Sequence, residues 1–396
     1  MAAARTDSRG VVGIVGAGTM GAGIAQVALE AGHEVVLHDV DEEAVGRGRE
    51  RIRIGLARRA AALQLDADSI DEWVDGRLAG LRDAVTLDAV AAGADLVVEA
   101  ALEDLALKRT ILMALDRATP LNAILATNTS ALSVDAIADA VRHPRRVVGL
   151  HFFNPAPVMT LVEVVRGPRS ADAVVASATE LMTAWGKTPV VCSDAPGFIV
   201  NRVNRPFTLE ALAILDSGEA DAAAIDAAVR EAGYPMGPFE LMDLVGIDVN
   251  LAAARAIHAA FVARGDPLAE RFRPSQTQER LVAEGRLGRK TGEGFYEYDD
   301  AAGTPDSESL PAGARDRIVE RIELAIVNEA YRAVADGVAP ADVIDLALRL
   351  GAGHPEGPVA RWARRGGEAA IRLALERHAV RGPRFDPAPG LGSRRA

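Results

Sequence analysis

Residues 11–39 read VVGIVGAGTMGAGIAQVALEAGHEVVLHD, and the fold class is decided there. VVGIV is an apolar run of strand length, and GAGTMG follows with Gly16, Gly18 and Gly21 in G-x-G-x-x-G spacing. AGIAQVALEA has helical periodicity, Gly32 suits its C-cap, and EVVLHD is a second strand-like run ending in Asp39. In such a unit the first glycine permits a tight turn. The second lets backbone approach a pyrophosphate, and the third lets the helix pack closely on the strand. The helix N-terminus then meets the negative charge. The glycine triplet alone is a weak signal; strand, triplet, helix, strand and terminal acid in this order are a strong one. The alternative is a plain βαβ unit. Asp39 is placed to accept from a ribose 2′-hydroxyl and to repel a 2′-phosphate, which favours NAD over NADP. Gly16, Gly18, Thr19, Met20, Gly21 and Asp39 are the first candidate cofactor contacts.

The 396 residues allow two or three domains, and 49% hydrophobic with 25% charged residues is a soluble globular composition. A formal net charge of −12 disfavours general binding of nucleic acid or anionic membrane, so an anionic substrate needs a local basic patch. The single cysteine, Cys192, excludes an intramolecular disulfide and a cysteine-cluster metal site and fits a reducing compartment. Neither a signal-type apolar segment nor a bilayer-length run is evident, so the expectation is a cytoplasmic protein with no membrane partner. With no HExxH and no Cys/His cluster, no metal is expected.

ADLVVEAA (94–101) and AILATNTS (123–130) read as further strands with polar ends. Carboxyl ends of parallel strands line the ligand crevice, which makes Glu99, Glu103, Asn128 and Ser130 candidates for it. Ser130 and Ser133 read equally well as helix N-caps. Downstream, GLHFFNPAPVMTLVEVV (149–165) places two strand-like runs around a proline-rich turn. A return centred on Pro157 sets His151 opposite Glu163. Period-2 alternation puts Glu163 on one face with Leu161 and Val165, so burial is expected, and a buried carboxylate needs a partner. A histidine so held keeps one tautomer and serves as a general base near neutral pH. The bland alternative is a structural pair holding the turn.

From Pro196 onward the pattern is helical, with one long helix expected from Pro196 to Gly218. The domain reading is 8–192 dinucleotide-binding, 193–300 all-α and 314–396 a degenerate second copy of the helical domain, with a polar linker at 299–313. The repeat pairs Glu210 with Glu329, Gly218 with Gly337 and Asp226 with Asp345, and one inserted residue brings GHPEGP onto GYPMGP. Glu320 stands in the second copy where Asn201 stands in the first.

GAGTMGAGIAQVA, ATNTSAL, GLHFFNPAPVMTLVEVV, GKTPVVCSDAPGFIVNRV, AGYPMGPFELMDLVGIDV and LGRKTGEGFYEY together resemble the 3-hydroxyacyl-CoA dehydrogenases, over most of residues 11–299. The wording looks most like the bacterial branch that acts on 3-hydroxyadipyl-CoA in phenylacetate breakdown. The resemblance implies NAD as cofactor, an acyl-CoA substrate, and oxidation of an (S)-3-hydroxyacyl-CoA. It gives His151 as base, Glu163 as its orienting partner, Ser130 in contact with cofactor and substrate, and Asn201 on the reacting oxygen. Asp39, Glu103, Lys108, Asn154 and Lys290 match NAD contacts. One departure stands out: the family's CoA-contacting serine and lysine fall at Gly55 and Ala62. The same helix is rich in arginine, and Arg53, Arg58 and Arg59 are the candidates to hold CoA phosphates. A solvated face with i,i+4 pairs is the alternative. Arg202 and Arg205 are candidates to greet a terminal carboxylate, or else are salt-bridged. Single-copy relatives dimerise through the helical domain, so the expected assembly is a monomer with an internal pseudo-dimer, or a homodimer. Two other functions remain open: a dehydrogenase of free hydroxy acids or sugar acids of the gulonate type, and a non-enzymatic crystallin-like NAD-binding protein.

Overall fold

A computed structural model describes residues 10–298 and 311–391. Most of the expected 299–313 linker lies outside the described residues. The chain divides into two compact units, with the boundary between Ala195 and Pro196.

The first unit is an eight-stranded sheet covered by helices. Its strands are β1 (Val11–Val15), β2 (Glu34–His38), β3 (Leu81–Asp83), β4 (Ala94–Glu99), β5 (Ile124–Thr127), β6 (Val147–Phe152), β7 (Leu161–Arg166) and β8 (Thr188–Ser193). They lie in the order β3-β2-β1-β4-β5-β6-β7-β8, parallel throughout except for the β6–β7 pair. The order reverses between β1 and β4, and such a switch point opens a crevice at the strand carboxyl ends. The helices are α1 (Thr19–Glu30), α2 (Glu42–Ala62), α3 (Ala67–Leu78), α4 (Leu87–Ala91), α5 (Leu105–Ala118), α6 (Val134–Ala138) and α7 (Asp172–Ala184). Alternate strand residues decide which face is covered. Val12 and Ile14, Leu96 and Val98, Val148 and Leu150, and Val162 and Val164 share one core with α1, α2, α3 and α7. His151 and Glu163 have the opposite parity.

The second unit is helical: α8 (Val200–Val203), α9 (Arg205–Asp216), α10 (Ala222–Glu231), α11 (Pro238–Val245), α12 (Ile247–Ala263), α13 (Gln276–Ala283), α14 (Ala314–Ala335), α15 (Ala341–Ala352), α16 (Pro358–Arg364) and α17 (Gly367–His378). The single helix expected from Pro196 begins late and is interrupted. Gly197 and Phe198 take left-handed backbone conformations, at φ +75° and +49°. Pro206 has no N–H to continue the hydrogen-bond ladder, so α8 gives way to α9 at Asn204. Asn204 itself stays helical, at φ −82° and ψ −8°.

Positions paired by the internal alignment make matching contacts. Asp226 accepts from the amides of Phe239 (3.0 Å) and Glu240 (2.9 Å) at the start of α11. Asp345 accepts from those of Val359 (2.8 Å) and Ala360 (2.9 Å) at the start of α16. Buried Glu210 accepts from Arg321 (2.5 Å) and Arg384 (2.6 Å), while buried Glu329 accepts from Arg202 (2.7 Å) and Arg271 (2.8 Å). Each glutamate thus takes its arginines from the other half of the unit. Arg202, a candidate for substrate recognition, is accordingly a structural ion-pair partner, bound also to Asp336 at 2.6 Å.

Candidate active site

The glycine loop is shaped by close approach. Gly16 (φ +101°) donates its amide to the His38 carbonyl at 2.8 Å, and a Cβ there would lie 2.6 Å from the Ala100 carbonyl oxygen. A Cβ on Gly21 would lie 1.7 Å from the Gly16 carbonyl oxygen, so only glycine lets α1 start so close to the turn. A Cβ on Gly18 would meet nothing within 4 Å. That open cradle lies at the N-terminus of α1, which has neither a capping side chain nor an acid in its first turn. Space, amide donors and helix dipole there fit a dinucleotide pyrophosphate. At the end of β2 the Asp39 carboxylate accepts from the amides of Ala17 and Val40, both at 2.6 Å, and is held against the loop.

The polar ends of β4 and β5 divide into braces and presented groups. Glu99 does not line the crevice as expected. It is fully buried, and it accepts from Lys108 Nζ (2.9 and 3.1 Å), Thr127 Oγ1 (2.7 Å) and the Ala101 amide (2.7 Å). Lys108 is buried with it, its ammonium also reaching the Ala101 carbonyl and Glu103, so it too is an internal brace rather than a presented cofactor contact. Asn128 is likewise buried, with Oδ1 accepting from the Phe152 amide and tying β5 to β6. Glu103 is partly exposed and accepts from Thr129 Oγ1 (2.7 Å) and the amides of Ser130 (2.9 Å) and Ala131 (3.1 Å). Burial alone would raise its pKa, but Thr129, Lys108 and these amides outweigh that and hold it below the usual carboxylate range. Ser133 is the N-cap of α6 and donates to Asp194; Ser130 is not, and lies exposed in the loop that Glu103 clasps.

The β6–β7 register sets His151 opposite Glu163. Nδ1 and Oε2 are 2.6 Å apart, both side chains are buried, and Phe153 lies against the imidazole with ring centroids 4.6 Å apart. A carboxylate in such a pair only accepts, so Nδ1 carries the proton and the tautomer is set.

A cleft of about 660 Å³ lies beside the glycine loop, lined by α1, α2 and the turn at 154–158. Arg51, Gly55, Arg58, Arg59, Ala62 and Asn154 border it. Arg53 is not among them: it points to α3 and pairs with Asp75 at 3.2 Å, which removes it from the candidate CoA contacts. Arg51 takes its place, a residue the sequence reading missed. The signal was available, because positions 51, 55, 58, 59 and 62 share one helical face while 53 lies on the far side. Among its neighbours, Arg47 pairs with Glu43, Arg49 with Asp83 and Arg59 with Glu30, whereas Arg58 pairs with no carboxylate among the described residues. The departure at Gly55 has a local cause: a Cβ there would come within 2.0 Å of Gln26 Oε1, and Gln26 is a buried residue of α1.

In the second unit, Lys290 is half-exposed and bonded to Asp248 at 2.5 Å, and Asn201 sits in α8. Cys192 is buried in β8, with its thiol pKa pushed well up by burial first and by Glu163 and Asp194 next.

Residues 11–195 match the family described as 3-hydroxyacyl-CoA dehydrogenase, NAD binding domain, and residues 197–298 and 318–387 both match its C-terminal domain. The chain is 37% identical to the 3-hydroxyadipyl-CoA dehydrogenase of Escherichia coli K12, over 91% of this chain and 92% of that one. It is 42% identical to the rat mitochondrial hydroxyacyl-coenzyme A dehydrogenase, over 72% of this chain and 90% of that one. The crystal structure of the Escherichia coli K12 3-hydroxybutyryl-CoA dehydrogenase superposes with a TM-score of 0.86 at 35% identity, covering 97% of this chain and 98% of that one.

Proposed function

The chain belongs to the 3-hydroxyacyl-CoA dehydrogenase family and is an NAD-dependent dehydrogenase, and from that premise we propose that it oxidises an (S)-3-hydroxyacyl-CoA with a His151–Glu163 pair as general base. The 2.6 Å contact between their buried side chains carries the reading. With Nδ1 protonated toward Glu163, His151 takes the substrate hydroxyl proton at Nε2, and Glu163 stabilises the imidazolium that results. NAD, when bound, accepts the hydride from the same carbon. Ser130 donates to the substrate oxygen as it becomes a carbonyl. Glu103 holds the 129–131 loop that carries Ser130. The CoA moiety lies along α2 in the cleft bordered by Arg51, Arg58 and Arg59, so that Arg58 gains an anionic partner.

The two names of the Escherichia coli relatives, together with the family, support a place in fatty-acid or phenylacetate-type catabolism. We read residues 318–387 as the second copy of the helical domain, on the matched contacts of Asp226 and Asp345 and the crossed pairs of Glu210 and Glu329. On this reading that copy stands within one chain where a partner's helical domain would stand in single-copy relatives, which favours a monomer with an internal pseudo-dimer, with a homodimer as the alternative.

NADH formation from (S)-3-hydroxybutyryl-CoA, set beside free (S)-3-hydroxybutyrate, tests the reaction. Turnover of the thioester with little or none of the free acid is expected, and His151→Ala removes it. Preference for the free acid would overturn the assignment of the α2 cleft to CoA.

A further inference from the structure

The chain carries 44 lysines and arginines, and only three of these are lysines: Lys108, Lys187 and Lys290. Lys108 braces Glu99, and Lys290 pairs with Asp248. Lys187 is held differently. It is 9% exposed, lies just ahead of β8, and pairs with no carboxylate among the described residues. Its ammonium donates instead to two backbone carbonyls, those of Ala156 at 2.5 Å and Met159 at 2.9 Å. A cation taken out of water and held by carbonyls alone is costly to keep. Burial pulls its pKa down, while Glu30 and Arg59 act on it in opposite senses at longer range. Lysine suits the place: three rotatable donors on a compact head can serve two carbonyls of one turn, where a planar guanidinium imposes its own fork.

Both carbonyls belong to the segment 153–160 that joins β6 to β7. Within it the Pro155 carbonyl accepts from the amides of Val158 and Met159, each at 3.0 Å. The segment also packs against α1, so closely that a Cβ on Gly23 would lie 3.1 Å from Ala156 Cβ and 3.3 Å from Pro157 Cδ. Lys187 thus ties down a turn whose residues 154–158 form one wall of the cleft beside α2. Val158 stands 72% exposed on that wall, while Ala156 is buried. Without the ammonium both carbonyls lose their donor. The contact at Ala156 is buried, so the turn must shift before that carbonyl finds another.

We propose that Lys187 is a positioning residue for CoA recognition, fixing the 154–158 wall of the α2 cleft through its bonds to the Ala156 and Met159 carbonyls. The β6–β7 ladder, which sets His151 opposite Glu163, holds the catalytic pair by its own hydrogen bonds, so a shift of the wall acts on binding before it acts on chemistry. This rests on the proposed function, which places CoA in that cleft.

The test measures the Kd of free CoA by titration calorimetry, and kcat and KM with (S)-3-hydroxybutyryl-CoA, in wild type, Lys187→Met and Lys187→Gln. Lys187→Met is expected to raise the Kd of CoA and the KM of the thioester by about tenfold or more, with kcat within about threefold of wild type. Lys187→Gln keeps a neutral donor and should fall between the two. Amide exchange at Val158 and Met159 should quicken in both variants. Val175→Ala, a change in the core under α7, is the control: it should lower the melting temperature and leave CoA binding unmoved. If Lys187→Met behaves as Val175→Ala does, with a lower melting temperature and an unchanged Kd for CoA, the proposal is overturned. A loss confined to kcat overturns it as well. Should Lys187→Met fail to fold, a Kd for CoA and exchange rates in Lys187→Gln equal to those of wild type overturn it. A wild type that does not bind CoA removes CoA from the cleft, and then the proposed function falls and this inference with it.

Discussion

Replacing Glu329 by glutamine isolates the value of the crossed ion pairs. Glu329 is 2% exposed and its two oxygens accept from the Nε atoms of Arg202 and Arg271, which are 1% and 3% exposed. Glutamine keeps the volume, removes the charge, and turns an NH2 toward groups that only donate. Breaking a buried pair by changing one partner costs about 3–5 kcal/mol, because a desolvated charge is left behind. Here two arginines are affected, but each retains a second carboxylate, Asp336 for Arg202 and Asp266 for Arg271. Both also lie over the Phe261 ring, at 5.0 and 4.5 Å. The retained partners put the expected loss at the lower end, about 3 kcal/mol, or roughly 6–12 °C in the melting temperature of a unit of this size. Glu210→Gln should match it within about 1 kcal/mol, since Glu210 is equally buried and equally paired. Scanning calorimetry of the two variants, with exposed Glu43→Gln as control, gives the comparison. If Glu329→Gln costs no more than the roughly 0.5 kcal/mol expected of the surface pair, the reasoning from burial is wrong.

Three further outcomes are expected. Glu163→Gln should lower kcat by about 10²–10⁴ with little change in KM for NAD, since the imidazolium loses its counter-charge; a loss under tenfold in stopped-flow NADH formation would reduce Glu163 to a packing residue. His354 is buried beside Arg361, donates from Nε2 to Asn204 at 2.8 Å, and has its pKa lowered to about 3 by burial first and Arg361 second. Its contribution is therefore present above pH 6.5 and lost as pH falls toward 3, about 2 kcal/mol of it by pH 5. Urea unfolding at pH 7 and pH 5 should show that loss in wild type and a smaller one in His354→Asn; equal losses would refute it. Gly55→Ala should destabilise by no more than about 1–2 kcal/mol, because its Cβ would press on the buried Gln26 Oε1 while alanine in place of a mid-helix glycine gains about 1 kcal/mol. Gln26→Ala in the same chain should recover most of that, and failure to do so in thermal unfolding would place the strain elsewhere.

The parts of the fold legible in the sequence are those where backbone geometry leaves one choice. The strand–glycine–helix–strand run at 11–39 allows one topology, and the β6–β7 return about Pro157 fixes which residues oppose. The short edge-side strand β3 and the proline-containing β8 lack that constraint, since three residues or a broken alternation carry little periodicity. Side-chain destinations were harder. A polar residue at a strand end reads as crevice-facing, but Glu99 turns inward because Lys108 lies one turn into α5 and can neutralise it, a pairing no local pattern shows. Arg202 and Arg205 look alike in the sequence; only the distant Glu329 and Asp336 separate the paired one from the unpaired one.

The crossed pairs of the helical unit also bear on dilution. An interface between separate subunits weakens as protein concentration falls, since assembly competes with the freedom of two independent chains. Glu210 with Arg321, and Glu329 with Arg202, join residues of one polypeptide, so their effective concentration is fixed by the covalent link between them. The contacts should therefore persist unchanged from micromolar stock to the nanomolar enzyme of an assay, a range over which a dimer built on the same surface would begin to come apart.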